Sequence, residues 1–341
     1  MAQPNRRPSM DDVARAAGVS KAAVSKVIRH AYGVSPAMRK KVEETINELG
    51  YRPRIAARVM RGSSFSIGLE IPNLGNDFFT QIMQGAAERL DGTGYQLMIT
   101  PGVGELSGTR VLENLADRQV DGMIAISPDV SPEWLENLAS EIPLVLIGRH
   151  DQSSEYDTVT SDDLHGTNLA VDHLLTLGHK KIAHLTIPSQ TKYSDALLPH
   201  TVRQREYDRL MHQNGLEPVI GLCSPRGEDA YEVTQDLLKS RPDITAVFAG
   251  NDTLAVDALR AIADTGLTAD DVSVVGYDDI PMAGHPLVSL STITQFGEAV
   301  GTTAINLLLD RINGSRSEAR HRELRPELRV RTSSRPVRHS K

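Results

Sequence analysis

The chain has 341 residues, with 37 Lys and Arg against 44 Asp and Glu and a single cysteine. That length gives room for a small head and a larger body of one or two lobes, and the lone Cys223 excludes an internal disulfide framework and suits a reducing cytoplasm. No apolar run approaches the roughly 18 residues that span a bilayer, and the opening MAQPNRRPSM lacks the apolar core of a secretory signal, so the cytoplasm is the expected location and no membrane partner is expected.

Ser9 is placed to cap a first helix whose first turn carries Asp11 and Asp12, favourable against the helix dipole. Val13, Ala14 and Ala17 recur at helical spacing. Gly18 ends that helix where a left-handed backbone costs little, and Ser20 caps the next. Val24, Val27 and Ile28 give the second helix an apolar face, while Lys21, Ala22, Ser25, Lys26 and Arg29 line the side free to meet base edges and phosphates. The pattern is that of a helix-turn-helix. Ser35 and Pro36 start a third helix with Met38, Val42, Ile46 and Leu49 in one stripe and Gly50 at its end. Arg39, Lys40 and Lys41 stand in its first turn, where cations oppose the dipole and a phosphate partner would relieve them. Residues 55–61 are shorter than the roughly 12–15 an isolated helix needs in water, so a helix there is expected only when DNA or a partner helix supports it.

Charge divides the chain at the same place. Residues 1–62 carry 13 Lys and Arg against 5 Asp and Glu, a net of +8, and the remaining 279 carry −15. A basic head on an acidic body is the footprint of a nucleic-acid reader with a separate second function. The basic run Arg316 to Lys341 is read as a solvated last strand and a loose tail.

The body alternates apolar strands and helices. Strands are expected at 65–71, 95–100, 122–127, 144–147, 182–186, 219–223, 246–249 and 272–277, with helices near 78–91, 107–118, 131–140, 164–177, 203–214, 230–240 and 252–265. Such alternation implies two parallel sheets with covered faces, and ligands in such folds lie beyond the strands' C-terminal ends. Phe78 and Phe79 offer an aromatic face in a chain with few aromatics, although Phe79 reads as the core member of the pair. Asn251 and Asp278 each follow an apolar strand and suit vicinal hydroxyls. Asp252 reads as a helix cap and Asp279 as a solvated neighbour. His173, His179 and His184 fall on a helix, a loop and a strand, so no metal site is expected, and His179 is expected to fix its loop. No P-loop, G-x-S-x-G or G-x-G-x-x-G opens a helix after a strand, and no cofactor is expected.

The head segment Met10-Asp11-Asp12-Val13-Ala14 through Val24-Ser25-Lys26-Val27-Ile28 resembles that of LacI/GalR-type transcription regulators. The body's Asp121-Gly122-Met123-Ile124, Ile142-Pro143-Leu144-Val145, Leu177-Gly178-His179-Lys180-Lys181-Ile182, Ala249-Gly250-Asn251-Asp252 and Val274-Val275-Gly276-Tyr277-Asp278-Asp279 occur in the family's order. The resemblance implies an α+β two-part chain: an all-α helix-turn-helix head with a hinge helix, then a two-lobed α/β body of doubly wound parallel sheets like those of periplasmic binding proteins. Boundaries are expected at 1–52 for the head, 53–64 for the hinge and 65–341 for the body, with the chain crossing between lobes near 162–166, 291–296 and 324–328.

The resemblance further implies a repressor that binds double-stranded DNA as a homodimer at a near-palindromic operator and is switched by a small effector, a sugar or sugar derivative. Nucleosides remain open. Lys21 and Ala22 fall where the family selects bases, and Ala22 can at most pack on a thymine methyl. Lys26 replaces a frequent Arg. Met60 occupies the position of the leucine that wedges a base step, with Ala57 one turn before it. Candidate DNA contacts are therefore Ser9, Lys21, Ala22, Ser25, Lys26, Arg29, Ser35, Ala57 and Met60. Candidate effector contacts are Asp278, Arg203, Asn251, Phe78, Arg149 and Asp162, with Phe79 beside them; Asp162, in the Thr160-Ser161-Asp162-Asp163 crossover, reads as either a ligand contact or a helix cap. Arg203 matches an Arg-x-x-Gly-aromatic pattern in which Glu206 replaces the glycine, leaving Arg205 as its rival. A solute-binding protein without regulatory role, or an enzyme of ribokinase or dehydrogenase type, are the competing classes. The basic head argues against the first and the missing nucleotide motif against the second.

Overall fold

The computed structural model describes residues 8–28, 32–51, 63–102, 107–188 and 198–337, and the chain forms two compact units, Met1–Ser64 and Phe65–Lys341. Arg29, Ala57, Met60 and the expected hinge helix lie outside the described residues.

The head comprises α1 (Met10–Ala17), α2 (Lys21–Ile28) and α3 (Pro36–Leu49). Ser9 and Asp12 form a reciprocal capping box, each side chain bonding the other residue's backbone N–H. Gly18 and Gly50 end their helices in the left-handed region at φ 65° and 60°, and Ser20 and Ser35 accept from the N–H groups of Ala23 and Met38. Val13, Ala17, Val24, Val27 and Val42 fill the small core. Met38 stays exposed, so the third helix packs through Val42 and Thr45 one turn later.

The first lobe's sheet has the order β11-β5-β4-β3-β1-β2 and is parallel throughout. Its strands are β1 (Ser66–Ile71), β2 (Gln96–Pro101), β3 (Gly122–Ile126), β4 (Leu144–Ile147), β5 (Asp157–Ser161) and β11 (His321–Leu324). The second lobe's sheet has the order β12-β10-β9-β8-β6-β7, parallel except for β12 at its edge. It contains β6 (Ile182–Thr186), β7 (Val219–Leu222), β8 (Ala246–Ala249), β9 (Ser273–Asp278), β10 (Ser291–Thr294) and β12 (Glu327–Arg329). Helices α4 (Asp77–Leu90), α5 (Thr109–Asp117) and α6 (Pro132–Glu141) connect the first set, and α7 (Asp163–Thr176), α8 (Pro199–Gln213), α9 (Ala230–Ser240) and α10 (Asp252–Asp264) the second. The chain changes sheets after β5, after β10 and after β11, and α11 (Gly297–Ile312) returns to the first lobe against α4. Gly85 and Gly301 let these two helices meet backbone to backbone. A Cβ on Gly301 would stand 2.0 Å from the Ile82 carbonyl oxygen.

Several elements differ from the periodicity reading, which also has no counterpart for β10 and α11. The polar run Asp157–Ser161 is a fully buried strand, because Arg311 and Arg316 both bond the Asp157 carboxylate and neutralise it in the interior. The C-terminal run keeps the expected solvated strand character in β11 and β12, which are half-buried to exposed, but as far as Val337 it is a strap bonded to both lobes and not a loose tail. It adds one strand to each sheet, and then Ser333 and Ser334 are buried, with Ser333 Oγ donating to the Val274 carbonyl at 2.7 Å. His179 ties this strap to its loop through Thr245 Oγ1 at 3.0 Å and the Arg335 carbonyl at 2.9 Å. Helix α8 also starts four residues before the periodicity suggested, with Pro199 at its first position. No helix among the described residues is long and apolar enough to cross a membrane.

Candidate functional site

Between the lobes, beyond the C-terminal ends of both sets of strands, lies a cleft of about 770 Å³. Its floor holds Asp278, the last residue of β9, at φ 118°, followed by Asp279 at φ 56°. Two successive non-glycine residues with positive φ are costly backbone of the kind that collects at binding sites. Asp278 is buried and accepts from Asn76 Nδ2 at 3.3 Å and Gln295 Nε2 at 2.5 Å. Burial raises its pKa from 3.8 to about 6, opposed by Arg203 and those two amides.

Arg203 projects from α8 into the same space. Its Nε donates to Asp163 Oδ1 at 2.7 Å, its Nη1 to the Gly250 carbonyl at 2.7 Å, and its guanidinium carbon stands 3.7 Å from the centre of the Tyr277 ring. Burial disfavours both charges of the pair. For Asp163, however, Arg203 and His150 outweigh that penalty and hold the carboxylate below its ordinary range, and Asp163 in turn raises the guanidinium. His150 Nε2 meets the other Asp163 oxygen at 2.9 Å. His200, also in the lining, is pushed down to about 3 by burial and the neighbouring Arg203, and is neutral at physiological pH.

Of the sequence candidates, Phe78, Phe79, Arg203, Asn251 and Asp278 all line this cleft. Arg205 points outward, which leaves Arg203 as the match. Phe78 is the more buried aromatic and Phe79 the more open, the reverse of the expectation, because the α4 face that packs on the core is set by Phe78 and Ile82. Asn251 caps α10 by accepting from the Leu254 N–H at 2.9 Å. Asp252, expected as that cap, is instead buried and accepts from Thr292 Oγ1 at 2.5 Å and the Ile280 N–H at 2.9 Å. Asp279 is paired with Arg331 at 2.7 Å rather than solvated.

Two candidates stand outside the lining. Arg149 is fully buried, bidentate to Asp151 at 2.7 Å for both bonds, and donates its Nη1 to the Pro128 and Val130 carbonyls. Its charge is matched by protein, not presented to a ligand. Asp162 caps α7 by accepting from the His165 N–H at 2.9 Å. The carboxylate that lines the cleft is its neighbour Asp163, which sequence reasoning missed. The available signal was the cap itself, since a side chain turned back to cap a helix leaves the next residue to face elsewhere.

In the head, Lys21, Ala22 and Lys26 are exposed on one side of α2, and Lys21 Nζ is 2.9 Å from Asp11 Oδ2. Ser25 departs from the expectation. It sits at the margin of the packed face and is only 7% exposed. Ser9 and Ser35 remain partly or fully exposed while their hydroxyls cap helices.

The family model for bacterial regulatory proteins of the lacI family matches residues 9–54, and that for the periplasmic binding protein-like domain matches residues 171–334. The HTH-type transcriptional repressor PurR of Photobacterium profundum is 30% identical over 331 residues, covering 95% of this chain and 98% of that protein. The HTH-type transcriptional regulator CelR of Thermobifida fusca is 31% identical over 347 residues, 96% of this chain and 98% of that one. The crystal structure of the lac repressor dimer bound to operator and the anti-inducer ONPF superposes with a TM-score of 0.81 at 27% identity, covering 97% of this chain and 100% of that one. A capped helix-turn-helix joined to a two-lobed cleft, matched end to end by these relatives, places the chain in the lacI family of bacterial regulatory proteins, DNA-binding transcription regulators and not enzymes.

Proposed function

We propose that the protein is a repressor that binds a near-palindromic operator as a homodimer and is switched by a small hydroxyl-rich molecule, a sugar or sugar derivative, in the cleft of its body. The observation that carries the reading is the lobe-spanning contact of Asn76 with Asp278 inside the cleft, with His150 of the first lobe bonding the lining residue Asp163 at the crossing beside it. A ligand that replaces them changes how the lobes close, and a difference in affinity between closure states is what shifts an equilibrium. Relatives support the rest: the lac repressor structure is a dimer on operator, and a CelR structure is a cellobiose complex. Coupling of this kind between effector and operator is typically about 1–3 kcal/mol.

The test begins with selection from random duplexes by the full-length protein, followed by anisotropy titration at physiological salt in the presence of candidate effectors. A selected two-fold-related site whose affinity changes several-fold with one neutral sugar supports the proposal. Absence of any specific duplex that survives physiological salt refutes it.

A further inference from the structure

The cleft's charge arrangement bears on which effectors it accepts. Arg203 is a strong cation among its described lining residues, and it is already matched: Asp163 holds its Nε, the Gly250 carbonyl its Nη1, and Tyr277 one face. The other lining guanidinium, Arg226, stands 3.8 Å from Glu228. Five carboxylates line the same space, Asp129, Asp163, Asp257, Asp278 and Glu228. His200 adds no positive charge, since burial keeps it neutral. A phosphate or carboxylate entering beside Arg203 would meet Asp163 and Asp278 before any unmatched cation, in a setting where burial weakens solvent screening. A hydroxyl meets no such opposition. The guanidinium has five N–H groups, so the two bonds to Asp163 and Gly250 leave donors for a neutral oxygen, and Asp278 and Asn76 supply acceptors and a donor.

We propose that the cleft selects uncharged polyhydroxyl effectors and rejects phosphorylated or carboxylated ones, with Asp163 as the specificity-determining residue that cancels the charge of Arg203. The proposal rests on the reading of the cleft as the effector site, and it narrows that reading from sugar-like molecules in general to neutral ones.

Calorimetric titration of the full-length protein tests it, using matched pairs (glucose and glucose 6-phosphate, ribose and ribose 5-phosphate), a wider panel of neutral sugars, and inorganic phosphate, on the wild type and on Asp163→Asn. In the wild type no phosphorylated sugar is expected to bind more tightly than its neutral partner, and inorganic phosphate is expected to give no binding heat. Asp163→Asn unmasks the guanidinium and is expected to gain about tenfold or more in affinity for inorganic phosphate, a difference of about 1.4 kcal/mol. Circular dichroism and melting confirm that the variant is folded, and if it is not, the wild-type comparison still decides. A phosphorylated sugar that binds the wild type about tenfold better than its neutral partner overturns the proposal. So does a folded Asp163→Asn protein with no gain for phosphate. Failure of the wider reading looks different: every neutral sugar silent, and operator affinity indifferent to all of them, while Asp163→Asn still takes up phosphate.

Discussion

The side-chain amide of Asn76 donates to the carboxylate of Asp278 at 3.3 Å, tying the residue that caps α4 in one lobe to the last residue of β9 in the other. Gln295, at the second crossing between lobes, donates to the other Asp278 oxygen. Asp278→Ala removes the acceptor for both amides and is expected to abolish the effector response while leaving operator affinity within about twofold, a shift of roughly 0.4 kcal/mol. Operator titration with and without effector reads both quantities. An unchanged effector response refutes the role of Asp278.

Glu70 is buried in β1, with the Ile126 N–H donating to its Oε2 at 3.1 Å, and burial raises its pKa from 4.5 to about 8. The folded state therefore holds a proton there that the unfolded chain releases. Stability from this group is complete below pH 4.5 and is lost as pH rises through 8, a loss of roughly 3 kcal/mol by pH 7. Glu70→Gln is expected to raise the melting temperature at pH 7–8 and flatten its pH dependence. Asp278 acts in the same direction over 3.8 to 6, as does the buried Asp252, raised by burial, so acid-side curvature should persist in Glu70→Gln and shrink, without vanishing, when Asp278 is also neutralised. Parallel melting curves for wild type and Glu70→Gln across this range would refute the assignment.

The strands with apolar runs, such as Leu144–Ile147 and Ala246–Ala249, are legible because a sheet covered on both faces demands such runs. Asp157–Ser161 is not, since its burial depends on Arg311 and Arg316, more than 150 residues away in the chain. The same reason governs the cleft. Asp278 and Asn251 could be read from their place after strands, but Arg149 follows a strand equally well and is claimed by Asp151 two residues later. Asp163 was hidden by a choice between adjacent carboxylates that the cap made in favour of Asp162.

Arg149 gives a sharp contrast with Arg203, since both are buried and only one lines the cleft. Arg149→Met leaves Asp151 without its bidentate partner and with Tyr156 Oη as its remaining side-chain donor at 2.6 Å. Breaking such a pair costs about 3–5 kcal/mol, so chemical denaturation should show a loss of that order. Effector selectivity of the folded fraction should not change. A changed ranking of neutral sugars in Arg149→Met would place this residue in the site after all.

Lys21 meets Asp11 across the turn of the head at 2.9 Å, with both side chains more than half exposed. An exposed pair contributes at most about 1 kcal/mol, less than the roughly 1–3 kcal/mol of a good base contact, so DNA can recruit Lys21 away from Asp11. Asp11→Asn removes the competitor and a nearby negative charge, and operator affinity is expected to rise by up to about fivefold, which is roughly 1 kcal/mol. Lys21→Ala separates two roles. If Lys21 reads a base, affinity falls by about 10- to 100-fold for the selected operator and little for random duplex. If it only meets a phosphate, both fall alike and the salt slope drops by about 1. Anisotropy titrations at several salt concentrations distinguish the two, and the base-reading outcome is expected because Ala22, beside it on the exposed side of α2, has no side-chain hydrogen-bonding group.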